Sequence, residues 1–182
     1  MLNVDALQEI ATKKKLIIIE DAAQALGCEW NSKKAGSIGT CSCISFDPTK
    51  IVGAFGSGGI LLCNDYSTNQ SIRKLRFHGK NTETGQFENL GYNSRMGTIQ
   101  AALINFQLQM LPQIIEKRNE IASLYEQKLC KIRAIKLPRP NARNRHTYHK
   151  YVIQTDQRNN LKEYLDSKGI TTLIHYPFLL PN

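Results

Sequence analysis

The stretch Cys43-Ile44-Ser45-Phe46-Asp47-Pro48-Thr49-Lys50 decides the fold predicted for this chain. Its first four residues have the composition of a strand, and Pro48 predicts the end of that strand because proline cannot donate to a β-ladder. The earlier apolar run Leu16-Ile17-Ile18-Ile19-Glu20-Asp21 predicts a buried strand that ends in a carboxylate. Open α/β sheets bind ligands at the carboxyl ends of their strands, so we expect Asp21 and Lys50 at one edge of the same sheet.

The residues around these two strands alternate between helical and strand patterns. A helical spacing of apolar residues predicts a helix from Val4 to Lys14, which leads into the buried-type strand at Leu16 to Ile19. Gly27 to Gly36 predicts a small hairpin with a polar turn, and Gly58 to Asn64 predicts another core strand. We therefore predict an α/β fold.

Two helices are predicted after a polar surface loop at His78 to Asn89. Thr98 is the expected N-cap of the first helix, and Pro112 separates it from the second. The apolar face of the first helix is predicted to hold Ile99, Leu103, Phe106 and Met110. The second helix is predicted to run through Ile114, Ile121, Tyr125 and Leu129.

The last part of the chain is predicted to be a smaller α+β region. Tyr148 to Thr155 is predicted as a strand, and Leu161 to Lys168 as a helix that ends at Gly169. Ile170 to Tyr176 is predicted to begin another strand. We place the boundary between two domains at the break between the two preceding helices, which gives residues 1–112 and 113–182.

Size and composition are those of a globular chain. It has 182 residues, of which 41% are hydrophobic and 21% charged. No apolar run approaches the roughly 20 residues that span a bilayer, and Met1 to Ile10 lacks the pattern of a signal peptide, so we expect a cytoplasmic location and no membrane partner. The five cysteines are odd in number and contain no Cys-x-x-Cys pair, which predicts reduced thiols and no metal site.

The net charge of +9 indicates an anionic partner, an acidic half that is absent, or nucleic acid. The basic residues are scattered and show no zinc-finger, RNP-like or basic-zipper pattern. We therefore expect no nucleic acid as the main partner.

The residue types at the predicted sheet edge suit pyridoxal phosphate. This cofactor needs an amine that holds its aldehyde as an imine, an acid beside its ring nitrogen and an anchor for its phosphate. Lys50 would supply the amine and Asp21 the acid, because an opposite charge nearby favours the protonated ring. Ser45, Asn93 and Arg95 could supply a hydroxyl, an amide and a guanidinium for phosphate or carboxylate.

Spacing alone leaves other roles open for the same residues. Asp21 could cap a helix or accept an ordinary hydrogen bond, and Gln24 could cap a turn. Arg95 could pair with Glu88, and His175 could be an ordinary strand histidine. A motif of this kind is a hypothesis until its structural context supports it.

A set of motifs, in one order along the chain, resembles the DegT/DnrJ/EryC1/StrS family of sugar aminotransferases. The resemblance covers essentially the whole chain. The motifs are Glu20-Asp21-Ala22-Ala23-Gln24-Ala25, Gly36-Ser37-Ile38-Gly39, Ser45-Phe46-Asp47-Pro48-Thr49-Lys50, Gly56-Ser57-Gly58-Gly59, Leu75-Arg76-Phe77-His78-Gly79, Gly91-Tyr92-Asn93-Ser94-Arg95-Met96 with Gln100-Ala101-Ala102, and His175-Tyr176-Pro177.

The resemblance implies a fold-type-I enzyme that uses pyridoxal 5'-phosphate. Such an enzyme moves an amino group from an amino acid such as glutamate to a keto group of a nucleotide-linked deoxysugar, in surface polysaccharide (O-antigen) or deoxyaminosugar biosynthesis. Lys50 matches the family's imine lysine, and Asp21 matches its pyridine-nitrogen partner. Gln24 matches the side chain that lies against the cofactor ring, and Ser45 matches a phosphate ligand.

The resemblance also implies a homodimer. Asn93 matches a residue that family dimers contribute to the neighbouring subunit's cofactor. Arg95, His175 and Tyr176 are further candidates for substrate binding. Departures from the family pattern are Ser57, where many members carry an acidic residue, and Thr40, where many carry aspartate.

Family members have a long segment before the Asp21 motif and continue beyond Tyr176, so the resemblance implies that this chain is a fragment. The expected fold is part of the fold-type-I large domain, a mostly parallel sheet with flanking helices, plus an incomplete C-terminal α+β small domain. Two alternatives to a sugar aminotransferase stay open. One is a catalytically inactive remnant or interaction module of the family, and the other is a regulatory or nucleic-acid-binding protein.

Overall fold

The structure is a computed structural model that describes residues 3–178. Within that range, no helix combines the length and the apolar composition that crossing a membrane requires. The helices and strands, in chain order, are α1 (Val4–Lys14), β1 (Ile19–Asp21), β2 (Glu29–Trp30), β3 (Lys33–Lys34), β4 (Cys41–Ser45), β5 (Gly59–Cys63), α2 (Tyr66–Leu75), α3 (Thr98–Gln109), α4 (Leu111–Leu129), β6 (Asn144–Arg145) and α5 (Arg158–Ser167).

Helix α1 occupies the predicted residues, and local capping explains both of its ends. The side chain of Asn3 accepts the N–H of Ala6 at 3.2 Å, which satisfies a backbone group that the first turn leaves free. Lys13 and Lys14 lie in the last turn, where positive charge is favourable to the helix dipole. Lys15 then adopts a left-handed φ of 53° and ends the helix.

The main sheet contains three strands in the order β1-β4-β5. Strands β1 and β4 are parallel, with Asp21 opposite Cys43, whereas β4 and β5 are antiparallel, with Cys41 opposite Cys63. The α/β class is confirmed, and the described sheet is mixed, with one parallel and one antiparallel pair.

The first strand differs from its prediction in length and in burial. It covers Ile19–Asp21 rather than the run from Leu16, and the side chains of Ile17 and Ile19 are 76% and 73% exposed. Because β1 is an edge strand of the described sheet, its pairing is limited to the three residues that meet β4. The apolar run predicted as a buried strand is therefore largely exposed to solvent within residues 3–178.

The predicted hairpin is confirmed as β2 and β3, which pair antiparallel, and β6 adds a third strand on the other side of β2. Trp30 on β2 is 2% exposed, and its indole N–H donates to the Asp5 carboxylate at 3.1 Å. The sequence pattern does not predict β6 as a strand. It forms because β2 offers an unpaired edge, which a local pattern cannot reveal.

The core lies between the β4 strand, the loop that follows it and α3. Glu20 on β1 binds the segment that follows the hairpin. Its carboxylate oxygens accept the N–H groups of Gly36 at 2.8 Å and Ile38 at 3.2 Å. Gly36 has a φ of 92°, which strongly favours glycine. The buried residues of this cluster are Ala22, Cys28, Ala35, Ile44, Phe46, Val52, Ala54 and Ile104.

Helix α3 begins at Thr98, but the predicted cap is wrong, and the predicted apolar face is exposed rather than packed in the core. Gly97 occupies the N-cap position without a side-chain cap, so Thr98 is the first helical residue. Ile104 is the buried residue of the helix at 3% exposure, whereas Ile99 is 77% and Phe106 is 64% exposed. Apolar residues lie on more than one side of α3, so their spacing could not decide which side meets the core.

Helix α4 follows directly after α3, as the break at Pro112 predicted, and its buried residues are Ile115 and Ala122. The helix runs through all four residues named for it, of which Ile121 and Tyr125 are 44% and 46% exposed.

The two strands predicted near the end of the chain are not formed in the described residues. Within Tyr148–Thr155 a single antiparallel bridge joins Gln154 to Lys136, and Ile170–Tyr176 contains no strand. A strand requires a partner that completes its hydrogen bonds, which β-type composition does not supply. The predicted helix is confirmed as α5, and Gly169 follows it with a φ of 74°.

The chain divides into two compact units. The first joins the residues up to Ser123 with Pro140–Lys150, and the second joins Leu124–Arg139 with the residues from Tyr151 onward. The domain boundary between residues 112 and 113 stays a prediction.

Candidate active site

Asp21 is the last residue of β1, at the carboxyl end of the parallel pair, and its side chain is exposed. Its Oδ1 accepts the N–H of Ala23 at 3.0 Å and faces the Cys43 thiol at 3.6 Å. Below it, the N–H of Ala22 donates to the Cys43 carbonyl at 2.9 Å, which continues the β1–β4 ladder by one residue. The carboxylate is therefore held at a defined position on the sheet edge.

Ser45 ends β4 at the same edge, and the chain turns there through Asp47. The Oγ of Ser45 accepts the N–H of Asp47 at 3.2 Å. Asp47 in turn accepts both the N–H of Thr49 at 2.9 Å and its hydroxyl at 2.6 Å. These bonds lower the pKa of the Asp47 carboxyl, with a smaller contribution from the Lys50 charge. The turn is thus built by local hydrogen bonds that favour an ionised Asp47.

Lys50 follows this turn and is half-buried. The backbone N–H of Lys50 donates to the Asp47 carbonyl at 2.9 Å, which fixes the backbone that carries the side-chain amine. Val52 just beyond it is fully buried, and the Ala54 N–H returns to the Phe46 carbonyl at 2.8 Å. Buried residues on both sides of Lys50 therefore hold its loop against the end of β4.

Two glutamines of α3 bind the backbone after Lys50. The side chain of Gln107 donates to the Gly53 carbonyl at 2.8 Å and accepts the Gly53 N–H at 3.3 Å. The side chain of Gln100 makes the same pair of bonds with Phe55 and accepts its N–H at 2.8 Å. Sequence reasoning assigned no role to either contact. The i, i+7 spacing of these two amides on one helix was the available signal.

Gly53 also fits a close approach that a side chain would prevent. A Cβ atom at this position would lie 2.8 Å from the Pro48 carbonyl oxygen. Gly53 therefore lets the loop fold back against the Asp47 turn while both of its backbone polar groups face Gln107.

Gln24 lies in the turn that follows Asp21, and its side chain is exposed. The backbone of this turn is closed by the Ala25 N–H, which donates to the Ala22 carbonyl at 2.9 Å. Gln24 therefore lies three residues after Asp21, the end of β1.

Asn93 and Arg95 lie after the 78–89 loop, and both side chains are exposed. Asn93 forms an antiparallel bridge with Phe77, and the Arg95 guanidinium stacks over the Phe77 ring at 4.2 Å from its centroid. Glu88 binds Lys74 at 2.6 Å. The alternative of an Arg95–Glu88 pair is therefore wrong, and Arg95 is oriented by an aromatic ring instead.

A groove of about 440 Å³ runs along α2 and the loop after it, with Arg95 in its wall. Glu83 is the acidic residue that lines it. The basic side chains that line the groove are Arg73, Lys74, Arg76, Lys80 and Arg95. Glu88 pairs with Lys74, but the remaining basic residues still outnumber Glu83, so the groove keeps an excess of positive charge that suits an anionic ligand.

His175 and Tyr176 belong to the second unit, and both side chains are exposed. Their rings meet edge to face with centroids 5.5 Å apart. The ordinary-strand alternative for His175 is wrong, because no strand forms here in the described residues.

Burial and a neighbouring charge act on the thiol beside Asp21. The pKa of Cys43 is raised, first by burial and then by the negative charge and hydrogen bond of Asp21. Among residues 3–178, no group of three or more histidine, cysteine or acidic side chains is placed to hold a metal ion. The candidate site is thus the sheet edge where β1 ends at Asp21 and β4 ends at Ser45, with the loop that carries Lys50 starting from the end of β4.

Sequence and structure comparisons agree on one family. The model of the DegT/DnrJ/EryC1/StrS aminotransferase family matches residues 1–181. A Geobacillus stearothermophilus protein named pleiotropic regulatory protein is 35% identical over 99% of this chain and 49% of its own length. A Pseudomonas aeruginosa protein named UDP-2-acetamido-2-deoxy-3-oxo-D-glucuronate aminotransferase is 32% identical over 98% of this chain and 49% of its own length.

Solved structures support the same relationship. The crystal structure of Streptomyces venezuelae DesV in complex with a ketimine intermediate superposes with a TM-score of 0.93 at 34% identity. The match covers 98% of this chain and 48% of that one. The chain therefore spans about half the length of the curated relatives and solved structures that it matches.

Proposed function

Because the chain belongs to the DegT/DnrJ/EryC1/StrS aminotransferase family, whose members are pyridoxal-phosphate-dependent sugar aminotransferases, we propose that it serves transfer of an amino group to a nucleotide-linked keto-deoxysugar. The observation that carries the proposal is the parallel pairing of β1 with β4. It puts the Asp21 carboxylate and the start of the Lys50 loop at one sheet edge, which is where open α/β folds bind cofactors.

Asp21 is suited to bind a protonated ring nitrogen. Both side-chain contacts described for it within residues 3–178 use Oδ1, which leaves Oδ2 to accept a further hydrogen bond. The Ala23 N–H keeps the carboxylate from rotating away from the sheet edge. A charged acceptor in this position favours a protonated ring.

Ser45 is suited to bind phosphate. Its Oγ accepts a hydrogen bond from the Asp47 N–H, so its own hydroxyl hydrogen can donate to an anionic oxygen. Gln24, in the turn after Asp21, would lie against the cofactor ring. Phosphate binding by Ser45 and ring contact by Gln24 are thus proposed together with cofactor binding by Lys50.

Lys50 would bind the cofactor covalently through its amine and, once released by substrate, would carry a proton between two carbon atoms. Bound pyridoxal phosphate would supply the electron sink that this transfer needs. The half-buried position of Lys50 and the fixed backbone on both sides of it support the assignment.

Substrate and amino-donor binding would use the exposed side chains of Arg95, His175 and Tyr176. We propose Arg95, stacked on Phe77 in the wall of the basic groove, as a ligand for a carboxylate or phosphate. His175 and Tyr176 are proposed to contact substrate. Glutamate is the proposed amino donor. The proposed pathway is the biosynthesis of a surface polysaccharide such as O-antigen or of a deoxyaminosugar. The proposed location is the cytoplasm.

We also propose that the functional form is a homodimer to which Asn93 contributes across the interface. Two observations support it: the Asn93 side chain is exposed, and one side of α3 presents unburied apolar residues. This side consists of Ile99, Leu103, Phe106 and Met110.

Chemical trapping tests the assignment of Lys50. The chain is mixed with pyridoxal phosphate, reduced with borohydride and digested, and we expect the cofactor mass on the peptide that contains Lys50. Lys50→Ala should remove this label, whereas Lys34→Ala on the exposed hairpin should leave it unchanged. Labelling spread over several lysines would contradict the site, and a chain that takes up no label would support the inactive remnant or interaction module instead.

A further inference from the structure

Cys41 and Cys63 lie directly opposite each other on β4 and β5. Facing residues on paired antiparallel strands project their side chains to the same side of the sheet. Both residues are free thiols and half-buried. They are the pair of cysteines that faces across a ladder within the described residues, and neither has a role in the proposed site.

The hydrogen bonds around the pair show which kind of ladder position it occupies. The Asn64 N–H donates to the Thr40 carbonyl at 3.2 Å, just outside the two cysteines. The Phe46 N–H donates to the Gly58 carbonyl at 2.8 Å, just outside the facing pair Ser45 and Gly59. Bonds that flank a pair in this way mark a non-hydrogen-bonded position. Hydrogen-bonded and non-hydrogen-bonded pairs alternate along an antiparallel ladder, and the bonds at the two ends of β4 give the same alternation.

This position has the spacing that a disulfide needs. The Cα atoms of a non-hydrogen-bonded antiparallel pair are about 4.5 Å apart, and disulfides join Cα atoms about 4.4–6.8 Å apart. Cys43 is less suitable, because it faces Leu61 and is diagonal to Cys63, where the separation is roughly 7–8 Å. We propose that Cys41 and Cys63 form a reversible disulfide when a small-molecule disulfide such as oxidised glutathione is present.

The neighbours of each thiol support this selectivity. The Asn69 amide donates to the Cys63 sulfur at 3.5 Å. Cys28 is buried and bound to Thr147 at 3.1 Å, and Cys130 belongs to the other unit. Burial and Asp21 raise the pKa of Cys43, which reduces its thiolate content and its reactivity.

The reaction is two successive thiol–disulfide exchanges. One protein thiolate attacks a sulfur of glutathione disulfide, and the first glutathione leaves with the pair of electrons of the broken bond. The second protein thiolate then attacks the mixed disulfide, and the second glutathione leaves. The two protein thiols are oxidised, the glutathione disulfide is reduced, and the two thiol protons end on the two glutathione molecules.

The cross-link would enclose the segment that carries Ser45 and Lys50. Joining residues 41 and 63 restrains the unfolded chain over this segment, so the oxidised form should melt at a higher temperature than the reduced form. Reducing agent should reverse the change.

Mass spectrometry of the intact chain tests the proposal. The native chain is incubated with oxidised glutathione, free thiols are alkylated after denaturation, and the product is digested with trypsin. We expect a product lighter by two hydrogen atoms before alkylation, and a cross-link between the peptides 35–50 and 51–73. Because peptide 35–50 contains both Cys41 and Cys43, variants must identify the partner.

Cys41→Ser and Cys63→Ser should each abolish the cross-link, whereas Cys43→Ser and Cys130→Ser should retain it with the same yield. Circular dichroism of every variant shows that the fold is kept. Loss of the cross-link in Cys43→Ser, or a native chain that gives only glutathione adducts, would overturn the proposal. Neither result depends on whether pyridoxal phosphate binds, so the proposed function can fail or stand separately.

Discussion

Gln107 holds both backbone polar groups of Gly53, with its amide nitrogen 2.8 Å from the carbonyl and its amide oxygen 3.3 Å from the N–H. A bond at each end of one residue fixes the orientation of its peptides. Gly53 lies just after Lys50, so a side chain of α3 sets the path of the loop that carries the candidate catalytic amine. We regard Gln107 as a positioning residue.

We expect Gln107→Leu to lower the free energy of unfolding by about 1–3 kcal/mol, because it leaves two partly buried backbone groups without partners. The same variant should reduce the yield of cofactor trapped at Lys50. Urea unfolding and the borohydride label measure the two effects. Gln109→Leu, at an exposed position of the same helix, is the matched control and should change neither. Equal effects of both variants would contradict a specific role for Gln107.

The buried side of α3 can be tested with two isoleucines. Ile104 is 3% exposed and packs in the core, whereas Ile99 is 77% exposed. We expect Ile104→Ala to cost about 2–5 kcal/mol of unfolding free energy and Ile99→Ala less than about 0.5 kcal/mol. Urea titrations of the two variants make the comparison. A larger loss of stability for Ile99→Ala than for Ile104→Ala would show that the apolar face indicated by the spacing is the one that packs in the core.

The Cys43 thiol should report the charge of Asp21. Since Asp21 contributes to the raised pKa of Cys43, Asp21→Asn should lower that pKa and speed alkylation at a given pH. Burial is the larger cause and persists in the variant, so the pKa should stay above its ordinary value. The measurement is the pH dependence of iodoacetamide labelling in a Cys41→Ser background. Cys130 serves as the internal control, and an unchanged Cys43 rate would show that the 3.6 Å contact is absent in solution.

Asp65 caps α2 and should titrate unusually low. Its carboxylate accepts the Thr68 N–H and the Ser67 hydroxyl, both at 2.7 Å, which lowers its pKa from 3.8 to about 2. A lowered pKa means that the cap stabilises α2 fully above the ordinary pKa and loses this effect as pH falls towards about 2. NMR titration of the Asp65 carboxyl checks the value, and Ser67→Ala should raise it part of the way. A titration at the ordinary pKa would contradict the cap.

The local features of the fold could be read from the sequence. Helix α1 ends where Lys13, Lys14 and the left-handed Lys15 follow its apolar pattern. The turn before Lys50 follows from Pro48 and from an aspartate that bonds the backbone two residues on. Such features depend on residues close together in the chain, so spacing and residue type suffice to predict them.

The errors concern features that need a distant partner. The strands predicted at Tyr148–Thr155 and Ile170–Tyr176 lack a ladder in the described residues, and β6 forms only because β2 accepts it. The apolar face that the spacing of α3 indicates is also not the side that enters the core, because apolar residues lie on more than one side of that helix and contacts with the Lys50 loop decide its orientation.

The amino-acid sequence by itself determined the order of the elements around Asp21 and Lys50 and the family resemblance, because both depend on residue type and spacing along the chain. Tertiary structure alone decided that Asp21 lies opposite Cys43, that Gln107 binds Gly53 and that Cys41 faces Cys63. These contacts join residues far apart in sequence, and the register and packing that bring them together depend on the whole sheet and its core.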